Sequence, residues 1–163
     1  MPTTTYVPLG TVTLTASASE IEFSSIPSYS SLVLVLSSKS TSGSYDQGLQ
    51  LNGDTGSNYN NTILYGDGST GGSTTINGTT QFYLDYYGSV TNTFSTSTIV
   101  QIEAADSTTH RKIMHSRSNR DANGLDFIGG EWTDSGNAVT SITYFLISGT
   151  LDSGTTASLY GID

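Results

Sequence analysis

Residues 50–60, QLNGDTGSNYN, place oxygen-bearing side chains at alternate positions, the raw material of a site for a hard cation. An EF-hand-type loop needs carboxylates or amides at alternate positions, glycine at the sixth and a bidentate glutamate at the twelfth. Counted from Asp54, the third residue is Gly56, the sixth Tyr59 and the twelfth Tyr65, so the pattern fails at each. One carboxylate among neutral amides holds calcium weakly unless other loops bring acidic residues. The stretch reads instead as a corner between two strands, because Asn-Gly and Asp-Thr-Gly supply positive φ and side-chain to backbone bonds.

Other chemistry-bearing residues lack the context that would make them catalytic. GDGSTG, residues 66–71, matches a G-x-G-x-x-G spacing, but GSTTINGTT follows it where a dinucleotide site requires a helix N-terminus. His110 and His115 are five apart and would leave one strand on opposite faces, so they do not share a metal there. No G-x-S-x-G elbow is present. Glu131 beside Trp132, in GGEW, is the most suggestive acid for glycoside chemistry, yet nothing in the sequence sets a second carboxylate at a working distance. The plainer reading puts the tryptophan in the core and the glutamate in solvent. These absences predict a non-enzymatic protein with no cofactor and no metal.

The basic residues are more informative. The chain carries a formal charge of -9, with only five Lys and Arg, and four of them lie in HRKIMHSRSNR: Arg111, Lys112, Arg117 and Arg120. Lys39 is the fifth. An acidic surface argues against nucleic acid as a partner. IVQIEAADSTTHRKI predicts a hairpin that could set Glu103 or Asp106 across from Arg111 or Lys112. The same cluster, with His115, also predicts an interface at which a positive patch meets an acidic surface of an identical or different chain. Ten tyrosines are present, and Tyr83, Tyr86 and Tyr87 fall close together as a candidate platform for a partner or a glycan, with Trp132 as a further candidate.

Composition limits the elements that position these groups. The 163 residues suit one domain, and 52 Ser and Thr with 18 Gly favour strands and turns over helices. The absence of cysteine leaves packing, backbone pairing and association as the sources of stability. No apolar run is long enough to span a membrane, and MPTTTYVPLG lacks the basic and apolar regions of a signal peptide, so a soluble chain without a membrane partner is expected. The sequons at Asn60 and Asn77 are then incidental.

Period-two alternation dominates. In TVTLTASASEIEF, Val12, Leu14, Ala16 and Ala18 share a parity that Ile21 and Phe23 reverse, which predicts a bulge or bend near Ser19. SLVLVLSS reads as a strand covered on both faces. QFYLDYY reads as a half-buried strand, with Phe82, Leu84 and Tyr86 on one face and Tyr83, Asp85 and Tyr87 on an aromatic outer face. With GLQLN, NTILY, STIVQIEAA, HRKIMHS, LDFIGGEW, VTSITYFLISG and TASLYGI there are about ten strands and no convincing helix. The expected fold is an all-β antiparallel sandwich: a single jelly-roll-like domain over 1–163 with extra edge strands, an N-terminal arm at 1–10 and a long Gly/Ser/Thr loop at 66–80.

Three segments together carry a resemblance: IPSYSSLVLVLSS, then LQLNGDTGSNYNNTILYGDGS, then ASLYGID at the end. The chain resembles small β-rich virion proteins of tailed bacteriophages, cyanophages among them. An arginine is common after the second strand in that group, whereas SSKS places Lys39 there. The resemblance implies a jelly-roll structural domain of capsids or tail fibres and brings no catalytic residues. Because strands begin by about Val12, leaving no room for an adaptor segment, a capsid decoration or cement protein is expected. It would sit on the virion surface as a homo-oligomer, a trimer, bound to the major capsid protein. The alternative is a tail-fibre or receptor-binding module for a host surface glycan.

Overall fold

Alternating side chains become strand where one residue in two can leave water, and most of the fourteen strands among the described residues follow that rule. The computed structural model describes residues 5–86, 90–119 and 124–163. In chain order the strands are β1 (Val7–Thr13), β2 (Glu20–Phe23), β3 (Ser31–Ser38), β4 (Ser44–Tyr45), β5 (Gln47–Leu51), β6 (Tyr59–Gly66) and β7 (Gly71–Thr79). Then follow β8 (Phe82–Tyr83), β9 (Val90–Thr91), β10 (Thr96–Glu103), β11 (Lys112–Asn119), β12 (Leu125–Trp132), β13 (Ile142–Leu146) and β14 (Thr156–Ile162). No helix occurs among the described residues.

The strand order identifies the architecture. One sheet runs β1-β14-β3-β10-β11-β12-β6-β7, a second β2-β13-β5-β8, and β4 pairs with β9 alone. Four strands of the large sheet, β1-β14-β3-β10, together with the second sheet, interleave as a jelly roll: first strand beside last, second beside next to last. The remaining four strands are two inserted hairpins. β6 and β7 enter between β5 and β8, β11 and β12 enter between β10 and β13, and the two meet where β12 pairs with β6. The jelly-roll sandwich thus gains a four-stranded extension along one edge.

The core is continuous between the sheets. Leu32, Leu34 and Leu36 point inward from β3, and Trp132, Tyr59, Tyr144 and Phe82 are the bulkiest side chains enclosed. Tyr59 stands edge-on to Phe82 with centroids 5.0 Å apart, a favoured aromatic geometry. The alternation in SLVLVLSS is covered on one face only in part: Val33 is buried, but Val35 is 37% exposed.

Several expectations need correction. The N-terminal arm is shorter than 1–10, because β1 begins at Val7 and pairs with β14. The parity switch near Ser19 is a change of sheet: β1 ends at Thr13, Ala18 bridges to Leu151, and the chain resumes as β2 in the second sheet. The stretch 66–80 is mostly strand. Asp67 accepts bonds from the Ser69 and Thr70 amides at 2.9 and 2.6 Å and closes a turn, after which β7 pairs with β6. β7 buries little on either face, so it lacks the apolar alternation by which strands are recognised.

QFYLDYY is also not a long half-buried strand. Only Phe82–Tyr83 pair, with β5, and Asp85 turns inward instead of outward. Its carboxylate takes the Gln47 backbone amide at 2.7 Å and the Gln47 side-chain amide at 2.6 Å, bonds that hold the chain out of the ladder.

The opening corner forms as expected. Asn52 and Gly53 have φ of 54° and 65°, and the Asp54 amide donates to the Leu51 carbonyl at 2.9 Å, a type I′ turn. Asp54 then accepts bonds from the Gly56 amide, Asn58 and Trp132 at 2.7, 2.9 and 2.6 Å. Its oxygens are used to tie the corner to the core.

Candidate functional site

The outward face of the eight-stranded sheet gathers most of the side chains that the fold leaves unexplained. Backbone register lines them up across strands. One row runs Val35, Ile99, Arg117, Phe127, Leu64, and the next runs Val33, Gln101, His115, Gly129, Thr62. At roughly 4.8 Å between strands, each row crosses about 19 Å.

One end of this face is apolar. Leu64, Leu125 and Phe127 are 56%, 46% and 49% exposed, and they border an open depression of about 420 Å³ with Tyr65 and Gly66. Arg117 projects beside Phe127 and makes no ion pair among the described residues. A smaller depression of about 300 Å³ continues from Phe127 past Arg117, Gln101 and His115 to Tyr6. Tyr6 meets Tyr160 edge-on at 6.3 Å and caps that end.

The other end is polar. Arg111 donates to both oxygens of Glu131, at 3.0 and 3.2 Å, and Asn60 donates to Glu131 Oε1 at 2.9 Å. Asn60 in turn accepts the Gly78 amide at 3.0 Å, so the chain of bonds runs from the residue before β11 across β12 and β6 to β7. The Asn60 and Arg111 bonds hold the Glu131 carboxyl below its ordinary value against a small opposing effect of burial. Of these residues Asn60 and Glu131 border an open trough of about 690 Å³, with Asn61, Thr62, Asn77, Ile113, Gly129 and Gly130.

The expected interface residues separate. Arg111, His115 and Arg117 are exposed on the outer face or its rim. Lys112 is not, which corrects its place in a surface patch: it is enclosed, its Nζ donates to the Ser107 and His110 carbonyls at 2.7 and 3.3 Å, and it lies 5.4 Å from the Trp132 ring centroid. Desolvation lowers its pKa, partly offset by Asp134 and Asp106. Arg120 lies outside the described residues. The β10–β11 hairpin forms, but Glu103 stands across from Ile113, and Arg111 pairs with Glu131 instead of Glu103 or Asp106. His110 sits in the loop before β11, with Nδ1 3.1 Å from Ser107 Oγ, so it does not share a strand with His115.

The expected aromatic platform is not assembled. Trp132 is buried, stacked near Tyr59 at 6.3 Å, with Nε1 bonded to Asp54, so it offers no face to a glycan. Tyr83 and Tyr86 are half-buried against the core, and Tyr86 leans on Tyr65 at 6.0 Å. Tyr87 lies outside the described residues. Leu64, Leu125, Phe127 and Gly129 were the residues that sequence reasoning missed. In LDFIGGEW both parities carry apolar side chains, the signal that β12 exposes one apolar face while burying the other.

No protein-family model matches the chain, and no curated protein matches it in sequence. Among solved structures it is similar to an exo-inulinase from Aspergillus awamori, at 14% identity and a TM-score of 0.47, over 96% of this chain and 29% of that one. The chain therefore corresponds to less than a third of the inulinase. It is also similar to alginate lyase Aly36B in complex with an alginate trisaccharide, at 13% identity and a TM-score of 0.36, over 94% of this chain and 80% of that one. At such scores these likenesses carry nothing about activity.

Proposed function

We propose that this chain is a structural protein of a bacteriophage virion, a decoration or cement protein that acts by binding and not by catalysis. In this reading it docks as an oligomer on the outer capsid and bridges neighbouring copies of the major capsid protein. Contacts made only in the assembled shell then raise the free energy needed to open it. The resemblance in IPSYSSLVLVLSS, LQLNGDTGSNYNNTILYGDGS and ASLYGID supplies the class.

The observation that carries the reading is the apolar corner of Leu64, Leu125 and Phe127 beside the cation Arg117, which makes no ion pair among the described residues. Contiguous exposed apolar side chains next to a charge are the anatomy of a protein interface. The occupant that fits is an apolar capsid surface bearing a carboxylate, since the guanidinium would select it through paired hydrogen bonds.

The test uses virions and shells. The protein should be located on purified particles, and it should co-sediment with shells that lack it. Phe127→Asp and Leu64→Asp should abolish co-sedimentation while leaving the melting temperature of the free protein unchanged, and Arg117→Ala should remove most of the salt dependence. Virions without the protein, or shells that resist heat equally well with and without it, would end this reading. Sedimentation of the free protein tests the expected trimer.

A further inference from the structure

Gly129 and Gly130 sit side by side in β12, and the fold needs only one of them. A Cβ on Gly130 would come within 2.8 Å of the Phe82 ring and 2.9 Å of the Asn60 carbonyl, so packing excludes any side chain there. A Cβ on Gly129 would meet no atom within 4 Å, and Gly129 is not among the glycines of positive φ. Glycine in a strand interior sacrifices stability, and β-branched residues are favoured at such a site. What Gly129 does provide is the floor of the polar trough, between His115 and Thr62 of the flanking strands.

We infer that this trough is a binding site for a neutral oligosaccharide. Its volume of about 690 Å³ falls within the range of ligand sites, roughly 300–1,000 Å³. Two of its polar groups are already held in place, since the Glu131 carboxylate accepts bonds from Asn60 and from Arg111 outside the lining, and Asn60 accepts the Gly78 amide. The planar Glu131 carboxylate and the Asn60 and Asn77 amides suit a sugar ring, whose neighbouring hydroxyls both donate and accept. Among the described residues Ile113 is the only apolar side chain on the lining, which leaves no pocket for the side chains of a peptide. An anionic polymer is disfavoured by the Glu131 carboxylate on the wall and by the formal charge of -9. The trough lies along β12 from Phe127, so the inference stands apart from capsid docking.

Titration calorimetry with cellohexaose, maltohexaose, xylohexaose and mannohexaose tests it, with polygalacturonate as the acidic counterpart. At least one neutral hexaose should saturate the protein at millimolar concentration. Gly129→Val should weaken that binding about tenfold or more while leaving the melting temperature unchanged or raised, and Asn77→Ala, at an exposed position, should also weaken it. The inference is overturned if no neutral hexaose binds, if only polygalacturonate binds, or if Gly129→Val binds as well as the parent. Docking on capsid shells should be unaffected by Gly129→Val, which separates the two activities.

Discussion

Gln47 grips Asp85 with two amides, its backbone N–H donating to Oδ1 at 2.7 Å and its side-chain nitrogen to Oδ2 at 2.6 Å, deep between the sheets. Tyr144 and Thr98 close around the same glutamine, with Tyr144 Oη 3.0 Å from Gln47 Oε1 and Gln47 Nε2 bonded to Thr98 Oγ1 at 2.9 Å. The network joins β5, β10 and β13 and replaces apolar packing at the centre of the sandwich. Its position specifies how the two sheets register.

That pair makes stability depend on pH. Burial pushes the Asp85 carboxyl up from 3.8 to about 8, despite the two bonds from Gln47 that favour the charged form. Between those values the folded state holds a proton that the unfolded state has released, so the contribution of this group is fullest below pH 4 and falls as pH rises toward 8. Urea midpoints should therefore decline from pH 5 to pH 8, and Asp85→Asn should flatten the decline. A midpoint that rises across this range would contradict the assignment.

Trp132 and Asp54 carry a second prediction. Burial alone would raise the Asp54 carboxyl, but bonds from Trp132, Asn58 and the Gly56 amide outweigh it and hold the group below its ordinary value. Asp54→Ala leaves a buried indole N–H without its acceptor and should cost about 1–3 kcal/mol in urea denaturation. Because Trp132 is the single tryptophan, its emission reads the site directly. It should be blue-shifted in the parent and shift red before global unfolding in the variant.

Lys112 gives the third. Lys112→Met keeps the packing against Trp132 but strands the Ser107 and His110 carbonyls, so a modest loss is expected, about 1–3 kcal/mol. Lys112→Glu buries a charge with no cation to meet it and should cost about 3–5 kcal/mol or prevent folding. If both variants melt with the parent, Lys112 belongs to the surface after all.

Much of the fold was legible because the signals are local. The Asn52-Gly53 turn follows from residues that accept positive φ, and the strand at SLVLVLSS follows from a short apolar run between turn residues. β7 escaped because its threonines and serines lie on a sheet edge with little to bury, so no apolar period marks it. The exposed apolar corner escaped for the opposite reason. Phe127 and Leu64 look like core residues in a sequence, and only the absence of a covering layer makes them surface.

By itself the sequence determined an all-β chain, the positions of its main strands, its corner at Asn52-Gly53 and its clustered basic residues. Only the tertiary structure decided which of those residues face outward. Alternation states that Lys112 and Ile113 point to opposite sides, but it does not say which side is covered. That depends on β12 meeting β6, strands more than fifty residues apart in the chain, and on Trp132 arriving beneath Lys112. The same meeting brings Asn60 to Glu131 and opens the trough over Gly129, a place that no local stretch of the sequence contains.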